Sequence, residues 1–353
     1  MRRASLPLLF VLAGCFGSDP ASEQAAPEVA PAEKAAAPGP DPAEVRKLAS
    51  ALFKPLPEFA ARQGAERPSD SLVALGRALY HDPRLSVNDR ISCNSCHDLA
   101  RFGADGEPTS PGHDGTRGGR NSPTVLNAAL HATQFWDGRA ADVEEQATGP
   151  ILNPVEMGMP DAAAVEAKVR GISEYEEMFA AAFPGADQPV TLTNIGVAIG
   201  AFERGLLTPA PFDRFLKGDD EAMTPEQLAG LKTFVDVGCT SCHNGVALGG
   251  QGFFKLGQVV PYETSDLGRF DVTQNEADKH FFKPPSLRNI TETGPWFHDG
   301  SVTDLGEAVR LMAKHQLGRE LDDDQVRSIL AFLGALKGDA DAEYAKAPTL
   351  PGM

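Results

Sequence analysis

The sequence predicts an all-α protein of two units with long irregular loops. Apolar residues recur with helical spacing in several short segments, and no stretch of Val, Ile or Tyr shows the period of two that is typical of a strand. The chain has 353 residues, enough for about two domains of roughly 150 residues each. Its 35 Gly and 28 Pro indicate that many connections between helices are irregular.

Two pentapeptides, 93–97 and 239–243, share the spacing Cys-x-x-Cys-His of a c-type haem attachment site. In such a site the thiols form thioethers with the haem vinyl groups, and the histidine ligates the iron. A disulfide, a thioredoxin-like pair or half a zinc site are the alternatives. Zinc wants four nitrogen or sulfur ligands, and a redox pair needs no histidine directly after it. We therefore expect two cytochrome c-like haem domains, with covalent haem c on Cys93, Cys96 and His97 and on Cys239, Cys242 and His243.

The N-terminus has the pattern of an export signal. Two arginines precede a short apolar run, which ends in Leu-Ala-Gly-Cys at Cys15 and resembles a bacterial lipobox. We expect a lipoprotein signal peptide over 1–15, with Cys15 lipidated; the alternative is cleavage nearby with Cys15 incidental. Both interpretations place the protein in the periplasm, where c-type haems are attached. Residues 16–45, rich in Ala, Pro and Glu, predict a disordered tether.

Helices of the first unit follow from start and stop signals. Over 69–81, Leu72, Leu75 and Leu79 share one face, with Ser69 or Asp70 as cap and Asp82-Pro83 as stop. A further helix carries Glu144, Glu145 and Gln146, and others are expected over 161–170, 173–182 and 193–204.

The second unit opens with Thr-Pro-Glu-Gln at 224–227, a capping pair that predicts a helix to about residue 235. A helix over 303–315 places Leu305, Val309 and Met312 on one side. The last helix begins at the capping pair Asp322 and Gln325. The expected domains are 46–206 and 207–340, followed by a tail over 341–353.

The formal net charge of −17 argues against nucleic-acid binding, which wants a basic surface. It favours, weakly, a basic redox partner. The apolar run near the N-terminus is too short to span a bilayer, so we expect contact with a membrane only through the N-terminal lipid.

The distal side of each iron sets its function. For the second haem, the candidate ligands are Met312, His280, His298 and His315. We favour Met312 because it lies on the inward face of its helix, and methionine–histidine ligation raises the potential of a haem. The alternative for Met312 is ordinary core packing.

For the first haem, His113 lies sixteen residues after His97 in a glycine-rich loop. It is either a surface histidine or a distal ligand on a loop that can leave the iron. Glu156, within Asn-Pro-Val-Glu-Met-Gly, is a candidate for proton transfer. A capping or salt-bridge role is its alternative.

The chain resembles the bacterial di-haem cytochrome c peroxidase family over roughly residues 70–335. Both haem motifs match, as do five shorter stretches: 75–80 (Leu-Gly-Arg-Ala-Leu-Tyr), 135–139 (Phe-Trp-Asp-Gly-Arg), 156–158 (Glu-Met-Gly), 297–300 (Phe-His-Asp-Gly) and 312–318 (Met-Ala-Lys-His-Gln-Leu-Gly). The resemblance implies that this chain reduces hydrogen peroxide with electrons from a small cytochrome c or a cupredoxin, and that it is a homodimer.

The same resemblance assigns roles to single residues. It makes His113 the exchangeable ligand of the peroxidatic haem and Gln146 and Glu156 the acid–base pair above it. Trp136 would lie between the haems, either as a mediator of electron transfer or as packing. It further implies that Met312 ligates the high-potential iron, that His298 belongs to its surroundings, and that Asn121 with the carbonyls of Thr293 and Pro295 binds calcium.

Two other functions remain open on the sequence. A di-haem electron carrier would need no proton-transfer residues such as Glu156 and Gln146. A relative that oxidises a protein or organic substrate, such as the enzyme that matures tryptophylquinone, has a tyrosine where this chain has Met312.

Overall fold

The computed structural model describes residues 39–61 and 66–353. The expected signal peptide with Cys15 and the tether up to residue 38 lie outside the described residues. Within the described part of the chain, no helix is long and apolar enough to cross a membrane.

The described residues are rich in helix, as the sequence predicts. The α-helices are α1 (Pro42–Leu52), α2 (Asp70–His81), α3 (Cys93–Cys96), α4 (Val143–Leu152), α5 (Ala162–Arg170), α6 (Ser173–Ala182), α7 (Leu192–Glu203), α8 (Pro211–Leu216), α9 (Pro225–Val237), α10 (Phe270–Thr273), α11 (Leu305–Leu317), α12 (Asp323–Gly334) and α13 (Ala342–Ala345). Two strands, β1 (Phe254–Lys255) and β2 (Phe281–Phe282), pair antiparallel. Each is too short for its periodicity to be visible in the sequence.

Side-chain caps fix the helix starts. The Oγ of Ser69 accepts the backbone N–H of Leu72 at the start of α2, which settles the choice between Ser69 and Asp70 as cap. At α9, Thr224 and Gln227 form the predicted reciprocal capping box, with Gln227 Oε1 2.9 Å from the Thr224 nitrogen. The predicted helices are confirmed within one or two residues at either end.

The helices enclose two main apolar cores. In the first, α7 packs against α2 and α4, and α5 and α6 complete it. In the second, α9 packs against α12, while α1, α8 and α11 surround the pair. Both belong to one compact unit that begins at residue 39.

The first and last described helices cross over between these cores. Helix α1, near the start of the expected first domain, packs on the second core through Val45, Ala49 and Phe53. In the C-terminal tail, Tyr344 stacks on Phe202 of the first core with ring centroids 5.2 Å apart. Its hydroxyl donates to the Phe202 carbonyl at 2.8 Å. The boundary near residue 206 stays a prediction. Helix α1 and Tyr344 of α13 each pack on the core of the other half of the sequence.

A small residue sets the crossing of α9 and α12. A Cβ placed on Gly230 would collide with the backbone carbonyl of Ser328 in α12. We expect Gly230→Ala to lower the free energy of unfolding by about 1–3 kcal/mol, since overpacking shifts the backbone. Urea denaturation measures this difference. Gly334→Ala is the control, because nothing lies within 4 Å of its new methyl group. Equal stability of the two variants would contradict the close crossing.

Candidate active site

The first Cys-x-x-Cys-His motif forms a single helical turn, α3. The His97 nitrogen donates to the Cys93 carbonyl at 2.9 Å. The hydroxyl of the fully buried Tyr80 donates to the His97 carbonyl at 2.6 Å. Burial lowers the pKa of His97 and so favours the neutral imidazole that a metal requires. The turn therefore presents two thiols and one neutral histidine on a fixed backbone.

Glu156 lies close to this turn. Burial raises the pKa of Cys96, a hydrogen bond with Ser110 lowers it, and the charges of Asp105 and Glu156 raise it further. Burial raises the pKa of the half-buried Glu156 itself, while the nearby Arg139 and a hydrogen bond from Asn153 lower it. A carboxyl with a raised pKa beside a haem attachment site has the properties of a proton-transfer group.

His113 is held against the segment that carries Glu156. Its backbone N–H donates to the Glu156 carbonyl at 2.8 Å. Its Nε2 lies 3.2 Å from the carbonyl oxygen of Pro154, and its ring touches Gly158 so closely that a Cβ there would stand 2.5 Å from Cδ2. A carbonyl only accepts, so this Nε2 carries a proton and cannot bind a metal in the same conformation. Binding iron through Nε2 requires the ring to move.

The other predicted residues of the first site are supplied by α4 and by the loop 135–139. Gln146 lies half-buried on α4; its backbone N–H donates to the Asp142 carbonyl at 3.0 Å, and its side-chain amide makes no hydrogen bond with any described residue. The guanidinium carbon of Arg139 sits 3.5 Å from the centroid of the Phe135 ring. Trp136, between them in the chain, donates from Nε1 to the Asn121 carbonyl at 2.9 Å.

The second Cys-x-x-Cys-His motif begins as a short 3₁₀ turn, Cys239–Ser241. His243 Nδ1 lies 3.1 Å from the Leu248 carbonyl, so Nδ1 is the donor and Nε2 keeps its lone pair. Burial lowers the pKa of His243 and favours the neutral form. This is the arrangement that a metal-binding histidine adopts.

A large cavity adjoins the second motif. About 1770 Å³ of space lies between its lining atoms, with the open mouth of the cavity included. Helix α11 turns Leu305, Val309 and Met312 toward it, as the sequence predicts. Trp136 lines the same cavity. The lining is mostly apolar and contains Cys239, Cys242 and His243, so it fits the flat apolar face of a porphyrin attached at that motif.

Four residues were candidates for the distal ligand of the second haem, and the cavity separates them. Met312 and His298 line it. The Nδ1 of His280 bonds the Asp266 carbonyl at 2.9 Å, and that of His315 bonds the Val260 carbonyl at 3.0 Å; neither residue lines the cavity. His298 Nε2 lies 3.1 Å from the hydroxyl of Thr264. Met312 is thus the candidate that lines the cavity and has no competing hydrogen bond within the described part of the chain.

The three expected calcium ligands also border this cavity. Asn121, Thr293 and Pro295 all line it. Asn121 Nδ2 donates to the Glu107 carbonyl at 3.0 Å, and no described donor bonds its Oδ1. Within 39–61 and 66–353, no three His, Cys, Asp or Glu side chains are grouped to hold a metal ion. A cation here would rely on neutral oxygens and water.

The four cysteines of the motifs are free thiols, and none forms a disulfide. Burial raises the pKa of Cys93 and raises that of Cys239 to about 12. Redox-active pairs have the opposite property, a lowered pKa that supplies the thiolate. The environment therefore disfavours a thioredoxin-like role.

The sequence of this chain is similar to those of known proteins. A family model described as di-haem cytochrome c peroxidase matches residues 70–221. The cytochrome c551 peroxidase of Pseudomonas aeruginosa is 48% identical over 310 residues, which are 86% of this chain and 88% of that protein. The chain belongs to the di-haem cytochrome c peroxidase family. The cytochrome c551 peroxidase of Nitrosomonas europaea is 47% identical over 283 residues, or 79% of this chain and 83% of that one.

The fold of a solved structure is consistent with membership of this family. The crystal structure of a MauG-like protein associated with microbial copper homeostasis has a TM-score of 0.73 at 28% identity, covering 84% of this chain and 97% of that one. The family predicted from the motifs is confirmed, and with it the assignment to peroxidases among the oxidoreductases. As a di-haem cytochrome c peroxidase family member, the chain is expected to carry two haem c groups.

Sequence reasoning missed two features of this di-haem cytochrome c peroxidase family member. Arg139 lies in a motif that was recognised, yet its effect on Glu156 is visible only where the two segments meet. Lys283 lines the cavity beside Cys239 and Cys242, and its Nζ lies 2.9 Å from His131 Nδ1. Lys283 stands in Phe-Phe-Lys-Pro-Pro, and such an aperiodic stretch carries no signal that a lysine is buried.

Proposed function

We propose that this protein is a periplasmic, lipid-anchored peroxidase that reduces hydrogen peroxide to water with electrons from a small cytochrome c or a cupredoxin. The observation that carries the proposal is an asymmetry between the two haem motifs. A carboxyl with a raised pKa lies beside Cys96, whereas a methionine and a histidine line the cavity beside Cys242.

At the first site, Cys93 and Cys96 would hold a haem with His97 as its proximal ligand. That haem supplies an iron to which peroxide binds and from which it takes electrons. His113 is proposed as the ligand that leaves this iron. Support for an exchangeable role comes from its contact with Pro154, which the ring must give up before Nε2 can bind a metal.

Glu156 and Gln146 would carry out the proton transfer. Glu156 takes the proton from the near oxygen of peroxide and gives it to the far oxygen, so that water leaves as the O–O bond breaks. The free amide of Gln146 orients the peroxide. Two electrons and two further protons complete the reaction H₂O₂ + 2e⁻ + 2H⁺ → 2H₂O.

At the second site, Cys239 and Cys242 would hold a haem, His243 and Met312 would ligate its iron, and His298 would belong to its surroundings. Methionine–histidine ligation raises the potential, which suits a site that stores one electron. Trp136 is proposed to assist transfer between the sites. Trp136 lines the cavity beside Cys239 and Cys242. It also belongs to the loop 135–139, whose Arg139 lies near Glu156 of the first site.

We also propose a calcium ion bound by Asn121 and by the carbonyls of Thr293 and Pro295. Calcium takes six to eight oxygen ligands, so water would complete the set. Supporting this, the three residues border one cavity and Asn121 Oδ1 has no partner among the described donors.

Location, donor and assembly rest on the sequence. The export pattern ending at Cys15 favours a lipid anchor, and the net charge of −17 suits a basic donor. The homodimer is proposed from the family resemblance alone.

Steady-state turnover tests the proposed function. The purified holoprotein should oxidise a reduced small cytochrome c only when hydrogen peroxide is present, with two cytochromes consumed per peroxide. A di-haem electron carrier would exchange electrons with the same cytochrome and leave peroxide untouched. Peroxide consumption near the background rate, with both haems bound, would therefore overturn the proposal in favour of the carrier.

Arg139→Gln is expected to move the acid limb of the pH profile of turnover to higher pH. The reaction uses Glu156 as a carboxylate, so turnover falls as the pH drops through its pKa. Arg139 lowers that pKa, and its removal raises it. We expect a shift of about 0.5–1 pH unit, below the 1–3 units of a close charge, because Arg139 is exposed. The exposed Arg90→Gln is the control, and an acid limb that does not move would exclude this coupling.

A further inference from the structure

The cavity beside Cys239 and Cys242 carries charge of one sign only. Lys283 is the only charged side chain among the described residues that line it, for no Asp, Glu or Arg does so. The other titratable groups there are His131, His243 and His298, whose pKa burial lowers, and the thiols of Cys239 and Cys242, whose pKa burial raises; burial thus favours the neutral form of each. An occupant of this cavity therefore meets one ammonium group and no negative charge.

Lys283 is fixed in place by its neighbours. Its side chain is only 6% exposed, and its backbone N–H donates to the Trp136 carbonyl at 2.8 Å. The Nζ lies 2.9 Å from His131 Nδ1. Because an ammonium only donates, His131 accepts with Nδ1 and carries its proton on Nε2. His131 thus positions the lysine head group rather than neutralising it.

No described carboxylate lies within ion-pair distance of Lys283. Burial lowers the pKa of Lys283, and the negative charge of Asp137 raises it in part. That carboxylate is already bonded by Arg120 and by Arg139, the latter at 2.9 Å, and Arg269 donates to its backbone carbonyl. Asp137 is therefore committed to other cations, and Lys283 has no anionic partner among the described residues.

A buried ammonium without an anion is unstable. Removal of a charge from water costs several kcal/mol unless an opposite charge replaces the solvent. Burial accordingly lowers the pKa of Lys283 to about 7. The site would be stabilised by an anion that enters with the ligand of the cavity.

Haem brings such an anion, because each porphyrin carries two propionate carboxylates on an otherwise apolar plane. We propose that Lys283, positioned by His131, is the cationic partner of a propionate of the haem attached at Cys239 and Cys242. This rests on the proposed attachment of that haem. The paired ammonium also favours the reduced iron, which has one positive charge less, and so raises the potential of the electron-storing site.

Lys283→Met in the holoprotein tests the pairing. Resonance Raman spectra of the half-reduced protein, excited at the ferrous Soret band, select the second haem. The propionate bending mode should shift in this variant. The reduction equilibrium should move about tenfold toward the ferric form, which is about 59 mV for a one-electron couple. Lys283→Arg should keep both properties near those of the wild type.

Lys255→Met is the matched control, since Lys255 lies exposed in the partner strand β1. If Lys283→Met does not fold, Lys283→Gln replaces it, because its amide can still donate to His131. A propionate mode and potential equal to those of Lys255→Met, with both haems attached, would overturn the pairing. Absence of the second haem from the wild type would instead refute the proposed function, so the two failures are distinguishable.

Discussion

Glu156→Gln is expected to lower peroxide turnover by about 10²–10⁴-fold, the usual loss when a general acid–base group is removed. The amide matches the carboxyl in size but cannot take a proton from one oxygen of peroxide and return it to the other. Haem content should not change, because Cys93, Cys96 and His97 are untouched. Steady-state oxidation of a reduced cytochrome by peroxide measures the effect.

The control for this variant is Glu177→Gln, which changes an exposed carboxyl on α6 far along the chain from both motifs. It should turn over like the wild type. Turnover of Glu156→Gln within a factor of two of that control would remove Glu156 from the mechanism and leave its raised pKa as a consequence of burial alone.

Met312→His is expected to lower the potential of the second haem by about 0.2–0.4 V, part of the roughly 0.8 V over which axial ligands move haem potentials. Met312 lies on the apolar face of α11 that lines the cavity of Cys239 and His243. Loss of its thioether should lower the affinity of the second haem for an electron and stop any activation that depends on its reduction. Spectroscopic redox titration follows both haems separately.

Met178→Leu serves as the control, because Met178 packs against the first core rather than the cavity. Its two potentials should match those of the wild type. If the high-potential couple survives in Met312→His, the sixth ligand is another residue, and His298 is the remaining candidate that lines the cavity.

The sequence predicts the helices well because their signals are local. The capping pairs at Thr224 and Asp322 and the apolar spacing in α2 are complete within one or two turns. The hairpin β1–β2 was missed since its pairing joins Phe254 to Phe282 across a long loop. The packing of α1 on the second core and of Tyr344 on the first likewise depends on contacts between residues distant in sequence.

In the candidate site, too, the residues in contiguous motifs could be predicted from the sequence, whereas contacts between distant segments could not. The haem motifs are contiguous and can be recognised directly. Glu156 and Met312 are predicted both from their own positions and from the family resemblance, and the role of Gln146 is predicted from the resemblance alone. The contact of His113 with Pro154 and the influence of Arg139 on Glu156 arise where separate loops meet. Lys283 could not be predicted as buried, because its burial depends on His131 and Trp136 some 150 residues earlier in the chain.

Visible and electron paramagnetic resonance spectra of the half-reduced holoprotein test the central claim most directly. The asymmetry of the two sites predicts one low-spin ferrous haem with a methionine ligand and one ferric haem with an open coordination position, which reacts at once with hydrogen peroxide. Two low-spin haems, both six-coordinate and inert toward peroxide, would contradict it.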